Sequence, residues 1–252
     1  MTPPTSRREF LRFTLLAGTG LSLGIVWREV TVAAVGGGAA FVQPFLRIDG
    51  DGVVTVICKH SELGQGVHTG LATLVAEELD ADWAQVRTEA APSGAPGYGN
   101  LAWNPDGSIQ GTGGSTSIFN SWEQLRRAGA TARAMLVAAA ARKWQVAAVE
   151  IEVAASVVRH PPSGRQAGFG ALAAAAAREA IPAGVALKDP ARFRLIGTAT
   201  LPRTDSAAKV RGIGPYSIDH ALPGLQVAVL ARPPRFGARL RAVDDAAARR
   251  VP

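Results

Sequence analysis

At 252 residues with 47% hydrophobic content, the chain is long enough for one or two domains with a core of their own, which excludes a disordered tail. Its single cysteine, Cys58, excludes an internal disulfide framework, a structural zinc site and an iron–sulfur cluster held by this chain. A net charge of +7 raises nucleic acid as a partner, but the arginines are dispersed among alanines with no dense run and no interleaved aromatics, so no nucleic acid is expected.

The first segment, "SRREFLRFTLLAGTGLSLGIVW", sets Arg7 and Arg8 ahead of Phe10 and Leu11 and runs apolar from Phe13 to Trp27. A charged head followed by a short apolar run is the layout of a signal peptide, and paired arginines before Phe-Leu mark the twin-arginine route, which exports proteins already folded. The run is short for a bilayer of ~30 Å, although an uncleaved signal can still associate with a membrane. The alternative is a buried amphipathic helix. No clean cleavage site stands out around "TVAAVGGGAA". Residues 1–40 are therefore expected to be an export signal and linker, addressed to the periplasm.

The next stretch, "PFLRIDGDGVVTVICKH", predicts two short strands joined by an Asp-Gly-Asp-Gly turn, with β-branched Val53, Val54, Val56 and Ile57 suited to a buried strand. From Thr69 the spacing of Leu71, Leu74, Val75 and Leu79 predicts a helix. A strand follows in "WAQVRTEAA", then a loop rich in Gly, Pro and Asn. The stretch "QGTGGSTSIFNSW", Gln110 to Trp122, is a second glycine-rich turn. It leads into a long amphipathic helix with Trp122, Leu125, Ala132, Leu136 and Ala139 on one face, so strand, glycine turn and helix occur twice. "VEIEVAASVVRHPPSGRQAGFG" predicts a hairpin and Phe169 to Ala180 a third helix. From about Leu187 the character changes to strand-and-turn segments, which places a domain boundary near Pro182 to Pro190. The chain stops at "AAARRVP" after a further helix with no closing strand, an abrupt end that suggests a fragment or a truncated gene.

The two glycine turns are the candidate site. Glycine at a strand-to-helix turn permits φ > 0 and close approach of a ligand, and the free N–H groups of a helix start favour anionic oxygens. A phosphate- or pterin-like ligand suits both turns. "GQGVHTG" has the wrong third glycine for G-x-G-x-x-G and "GTGGSTS" lacks the lysine of a P-loop, so neither dinucleotide nor ATP binding is expected. Gln65 carries an uncharged amide that either recognises a heterocycle edge or a metal-oxo ligand, or caps the turn. Ser115, Thr116 and Ser117, following Gly113 and Gly114, either bind phosphate or cap the second helix. His60 and His68 lack a third ligand at suitable spacing and read as structural. Glu62, Glu77, Glu78 and Glu89 show no partner, and Glu77 and Glu78 read as a solvated helix face. No G-x-S-x-G elbow appears.

Together "SELGQGVHTGLATLVAEELDADW", "GTGGSTSIFNSWEQLRRAGATARAMLVAAAARKW", "LKDPARFRLIGT", "RTDSAAKVRG", "YSID" and "LPGLQVAVLARPPRFG" carry a likeness that runs from about Phe41 to the last residue. The chain resembles the molybdopterin-binding large subunits of the xanthine dehydrogenase and aldehyde oxidase family, in the branch of isoquinoline 1-oxidoreductase and periplasmic aldehyde dehydrogenases. The resemblance implies an α+β fold: a partial molybdopterin-binding domain over residues 41–185, then the start of an a/b hammerhead domain over residues 186–252. It implies a molybdopterin cofactor with molybdenum, in its cytosine dinucleotide form, held by hydrogen bonds rather than by protein metal ligands. Gln65 would sit beside an oxygen ligand of the molybdenum with Gly64 and Gly66 allowing the approach, while Gly113, Gly114, Ser115 and Thr116 would lie along the pterin and its phosphates.

Enzymes of this family hydroxylate an aldehyde or an N-heterocycle with oxygen from water and pass two electrons out. The resemblance implies a small 2Fe–2S subunit, a c-type cytochrome, or both, as electron-accepting partners. The family's general base is a glutamate near its C-terminus. This chain is far shorter than the full subunit and is expected to end before it, so no catalytic residue is assigned here and the residues alone are expected to be inactive. The competing expectation is a truncated, non-catalytic exported binding or interaction protein.

Overall fold

The computed structural model describes residues 21–23, 45–94, 97–198, 201–214 and 216–251. The twin-arginine motif and the linker before Phe41 lie outside them. The chain divides into two compact units, residues 1–212 and residues 213–252.

The first unit is built on a four-stranded sheet in the order β1-β2-β3-β4, comprising Leu21–Leu23, Leu46–Ile48, Val54–Cys58 and Val86–Ala90. β1 and β2 pair antiparallel, with Leu21 opposite Ile48, and β2 and β3 pair antiparallel, with Leu46 opposite Val56. The turn between β2 and β3 is the expected Asp-Gly-Asp-Gly. Gly52 takes a φ of 89° and donates to Asp49 O, while Asp51 Oδ1 accepts from the Val53 N–H. β3 and β4 run parallel, which requires a crossover, and helix α1 (Val67–Leu79) supplies it. Every residue of β3 is buried, consistent with its β-branched run in a covered sheet.

Helix α2 (Ser117–Trp144) packs along α1. Leu71, Leu74, Val75 and Leu79 of α1 and Leu125, Ala132, Leu136 and Ala139 of α2 all enter the core, as their spacing predicts. The two backbones approach closely at Gly129, where a Cβ would fall 2.4 Å from Val75 O.

Beyond α2 the expected hairpin is a three-stranded antiparallel meander: β5 (Glu152–Ala154), β6 (Val157–His160) and β7 (Arg165–Gly168). Gly164, with a φ of 68°, turns the chain so that "RQAG" adds the third strand. Helix α3 (Phe169–Ala176) ends earlier than the predicted Ala180. The N–H groups of Arg178 and Glu179 bond back three residues in a tightening last turn, and Pro182 disfavours helix at the residue before it.

Two expectations fail. Glu77 and Glu78 are not a solvated face: they are 1% and 0% exposed. Glu78 pairs with Arg126 at 2.7 Å and accepts from Lys188 N, and Glu77 Oε2 accepts the N–H groups of Arg194, Leu195 and Ile196 at 2.7–3.1 Å. These carboxylates fix residues 188–196 against α1. Second, from Leu187 onward no strand forms among the described residues; a short helix, α4 (Ser206–Val210), and turns take their place. The strand-like "LQVAVL" leaves Val227 91% and Val229 92% exposed, and an extended segment without a hydrogen-bonding neighbour is not a strand. Among the described residues no helix is long and apolar enough to cross a membrane.

Candidate functional site

Both glycine turns leave the carboxyl ends of parallel strands, the first directly from β3 into α1 and the second through the long loop 91–116 from β4 into α2. The two turns are tied together. His60 Nδ1 lies 3.0 Å from Gly111 O, and the Ser61 N–H donates to Thr112 Oγ1 at 2.8 Å. One turn further along, a Cβ on Gly70 of α1 would come within 2.8 Å of Ile118 of α2, so the two helix starts stand side by side.

The protonation of His60 follows from its partners. Nδ1 faces a carbonyl and carries the hydrogen, so the bare Nε2 accepts from Asn120 Nδ2 at 3.0 Å. Asn120 is oriented by the Leu101 N–H on its Oδ1 and by Thr116 O on its Nδ2. Burial, and then the neighbouring Lys59 charge, hold the His60 imidazole below its ordinary titration range against the opposing pull of Gly111 and Asn120. His68 Nε2 lies 3.1 Å from His60 O. Both histidines therefore serve the scaffold, as their sequence context indicates.

In the first turn Gly64 and Gly66 have φ of 101° and 87°, values that exclude most side chains. The helix-start donors expected to face a ligand are occupied by the chain itself. Glu62 accepts the N–H groups of Gly64 at 2.8 Å, Gly66 at 2.9 Å and His68 at 3.1 Å. Burial pushes this carboxyl up, but the N–H groups of Gly66, His68 and Gly64 and the Arg203 charge outweigh it and hold it below the usual carboxylate range. Gln65 is exposed; its Oε1 accepts from the Leu63 N–H at 2.5 Å and its Nε2 donates to Ser61 O at 3.0 Å. The amide thus braces the turn and keeps one N–H and one lone pair free of those two bonds. A Cβ on Gly64 would meet nothing within 4 Å, so the space over this turn is open.

The second turn is organised differently. Gly114 and Ser115 both adopt left-handed φ, 62° and 56°, a conformation that turns the chain sharply into α2. Thr116 is the N-cap of α2 and makes no side-chain capping bond; its hydroxyl donates to Gly113 O at 2.9 Å and accepts from Asn100 Nδ2 at 2.9 Å. The positive end of a 28-residue helix is therefore uncapped by any side chain, and this turn, not the first, offers donors to an anion. Trp103, 47% exposed, lies over it: a Cβ on Gly111 would sit 2.3 Å from its ring and one on Gly113 3.1 Å.

The Thr116 N–H is taken by Gly113 O at 3.3 Å, so the donors that phosphate and pterin oxygens fit are those of Gly113–Ser115, and a flat heterocycle edge fits the open space by Gln65. Among the described residues no group of three or more His, Cys, Asp or Glu is arranged to hold a metal ion. Two cavities of about 280 and 350 Å³ lie elsewhere and include no residue of either turn.

Sequence reasoning placed Gly64, Gln65, Gly66, Gly113, Gly114, Ser115 and Thr116 at one site, and the latch through His60 and Ser61 brings their turns together. It missed Glu62, although an acid just ahead of a glycine-opened helix start is a recognisable anion-to-helix signal. Arg203, whose guanidinium reaches Gly64 O at 3.0 Å, left no local signal, since 139 residues separate the two.

The sequence matches a family described as the molybdopterin cofactor-binding domain over residues 6–212. It is 36% identical to the isoquinoline 1-oxidoreductase subunit beta of Brevundimonas diminuta, across 99% of this chain and 36% of that protein. It is 32% identical to a membrane-bound aldehyde dehydrogenase (pyrroloquinoline-quinone) of Gluconacetobacter polyoxogenes, across 98% of this chain and 32% of that protein. The chain thus spans about a third of the length of these curated relatives. Among solved structures it is similar to quinoline 2-oxidoreductase from Pseudomonas putida 86, with a TM-score of 0.41 and 21% identity over 59% of this chain and 19% of that one. A match that takes in both glycine turns and everything between them settles the kinship: the chain belongs to the molybdopterin cofactor-binding domain family.

Proposed function

We propose that the chain is the N-terminal portion of a molybdenum hydroxylase subunit that oxidises an aldehyde or an N-heterocycle with oxygen from water and passes two electrons to a partner. The observation that carries this reading is the pairing of two unlike turns by the His60–Gly111 latch, one with an uncapped 28-residue helix start and one with an open, uncharged amide. When bound, a molybdopterin supplies a two-electron redox centre, here in its cytosine dinucleotide form. The N–H groups of Gly113, Gly114 and Ser115 hold its anionic oxygens, Thr116, whose N–H and hydroxyl both bond to Gly113 O, shapes the turn beneath them, and the left-handed glycines at 64 and 66 let it approach the backbone. Gln65 presents its remaining N–H toward an oxygen atom without adding charge. None of these residues is assigned as a general base, and alone they are inactive.

The electron-accepting partner in this reading is a small 2Fe–2S subunit, a c-type cytochrome or both; Cys58, the single cysteine of these 252 residues, is buried. The Ser6–Leu11 motif supports twin-arginine export of the loaded protein to the periplasm, with membrane association where the signal is retained. Residues 186–252 are read as the start of the hammerhead domain. The test is expression of the complete gene with its small subunit, followed by molybdenum and pterin analysis of the folded product in each compartment. Stoichiometric molybdenum in the periplasmic protein is expected; folded protein free of molybdenum overturns the reading.

A further inference from the structure

We propose that Arg203 is the positioning residue for Gln65, so that presentation of the amide at the site depends on a segment far outside the strand–turn–helix element. This rests on the reading that Gln65 faces the cofactor. Arg203 Nη1 donates to Gly64 O at 3.0 Å and Nη2 lies 3.5 Å from Glu62 Oε1. The Gly64 carbonyl belongs to the peptide unit that ends in the Gln65 nitrogen, so holding it fixes the plane from which Gln65 projects. On the other side of the turn the Gln65 amide is bonded to Leu63 N and Ser61 O. The turn is therefore held from within by Gln65 and from without by Arg203.

The guanidinium is itself aimed. Nε and Nη2 form a two-point pair with Asp205, each at 2.9 Å, which leaves Nη1 directed at Gly64. Its segment is pinned to α1 and the following 3₁₀ turn: Thr204 N donates to Thr69 Oγ1 at 3.1 Å, and Trp83 Nε1 donates to Pro202 O at 3.0 Å. The guanidinium also rests against Gly66, whose φ of 87° favours glycine and where a Cβ would lie 3.4 Å from Arg203 Nη1, in ordinary contact. Asp205 also pairs with Lys209, so its charge is already compensated and does not by itself call for an arginine that reaches the turn. Exposed pairs of this kind contribute little to global stability, so replacements at 203 leave the fold standing.

The test compares wild type with Arg203→Met, Arg203→Lys and the exchange Arg203→Asp with Asp205→Arg. Hydrogen exchange of the Gly64 and Gly66 amides is followed by NMR on the 252-residue chain, with Leu74 inside α1 as the control. Removal of the clamp is expected to speed exchange at Gly64 and Gly66 by about tenfold with Leu74 unchanged. In the molybdenum-loaded complex the same variants are expected to lose on the order of a hundredfold in kcat at constant molybdenum content and nearly constant KM. Arg203→Lys does not rescue, since one ammonium cannot span Gly64 O, Glu62 and Asp205 together, and neither does the exchanged pair. Unchanged exchange in Arg203→Met, or full recovery in the exchanged pair, overturns the proposal. If Arg203→Met fails to fold, Arg203→Lys decides by the same readouts. If the wild-type complex carries no molybdenum, the functional reading fails, while the exchange measurement on the metal-free chain still decides the role of Arg203.

Discussion

Lys59 closes β3 with its side chain buried at 2% exposure, its Nζ donating to Gln124 Oε1 at 2.8 Å, and it forms no ion pair among the described residues. Burial pushes its pKa down from the ordinary 10.5 to about 7. The unfolded chain therefore holds this proton up to about 10.5 while the folded chain releases it near 7, so the Lys59 contribution to stability is present above the first value and is lost as pH falls through the second. The urea midpoint is expected to rise between pH 7 and pH 10, and Lys59→Met should flatten that rise; an equally steep profile in the variant counts against the assignment. His60 acts in the same direction in a lower window. Its folded pKa lies below 6.5, so its contribution is intact above 6.5 and is lost on further acidification, when a proton on Nε2 would oppose the Asn120 donor.

Among the elements, α1 shows which features can be read locally. Its apolar spacing and its glycine-opened start follow from neighbours within a turn or two, and both are legible in the sequence. Glu77 and Glu78 follow from partners more than a hundred residues away, Lys188 and the backbone of Arg194 to Ile196, and so they look like an ordinary wet face. Arg126 adds to the same cluster, resting over the rings of Trp122 and Phe193 at 5.1 and 5.0 Å while it pairs with Glu78. Removing one partner of a buried pair strands the other charge, so Glu78→Gln is expected to cost roughly 3–5 kcal/mol in urea unfolding. Glu77 also pairs with Lys188 at 3.1 Å, but Lys188 keeps Asp80 at 2.6 Å, and Glu77→Gln keeps an oxygen facing its three N–H donors, so it should cost less. The reverse ranking, or a loss under 1 kcal/mol in both, would show that residues 188–196 are not anchored through these carboxylates.

Taken whole, the molecule is legible in its sheets, helices and glycine turns and illegible where a segment depends on something at a distance. The strand pattern of "LPGLQVAVLARPP" is a true local propensity without an opposing strand among the described residues, so it forms no strand and stays exposed. Residues 213–252 leave Ile218, Leu225, Val227, Val229, Phe236 and Leu240 in solvent, a run of apolar surface that invites self-association. A chain ending at Gly212 is expected to unfold cooperatively at the same temperature as the full chain and to stay monodisperse at concentrations where the full chain associates. Calorimetry and light scattering check both, and a fall of several degrees in the shortened chain would mean that the first unit draws stability from the second.

The latch between His60 and Gly111 also sets an order of events during folding. Fifty-one residues separate the two groups, and the loop between them contains the whole of α1 and β4. Closing such a loop is entropically unfavourable until the docking of α1 against α2 holds its ends together. The cradle is thus expected to close after both helices have met, so that a ligand needing both turns finds its receptacle only in the folded chain, with the two helix starts already held in register.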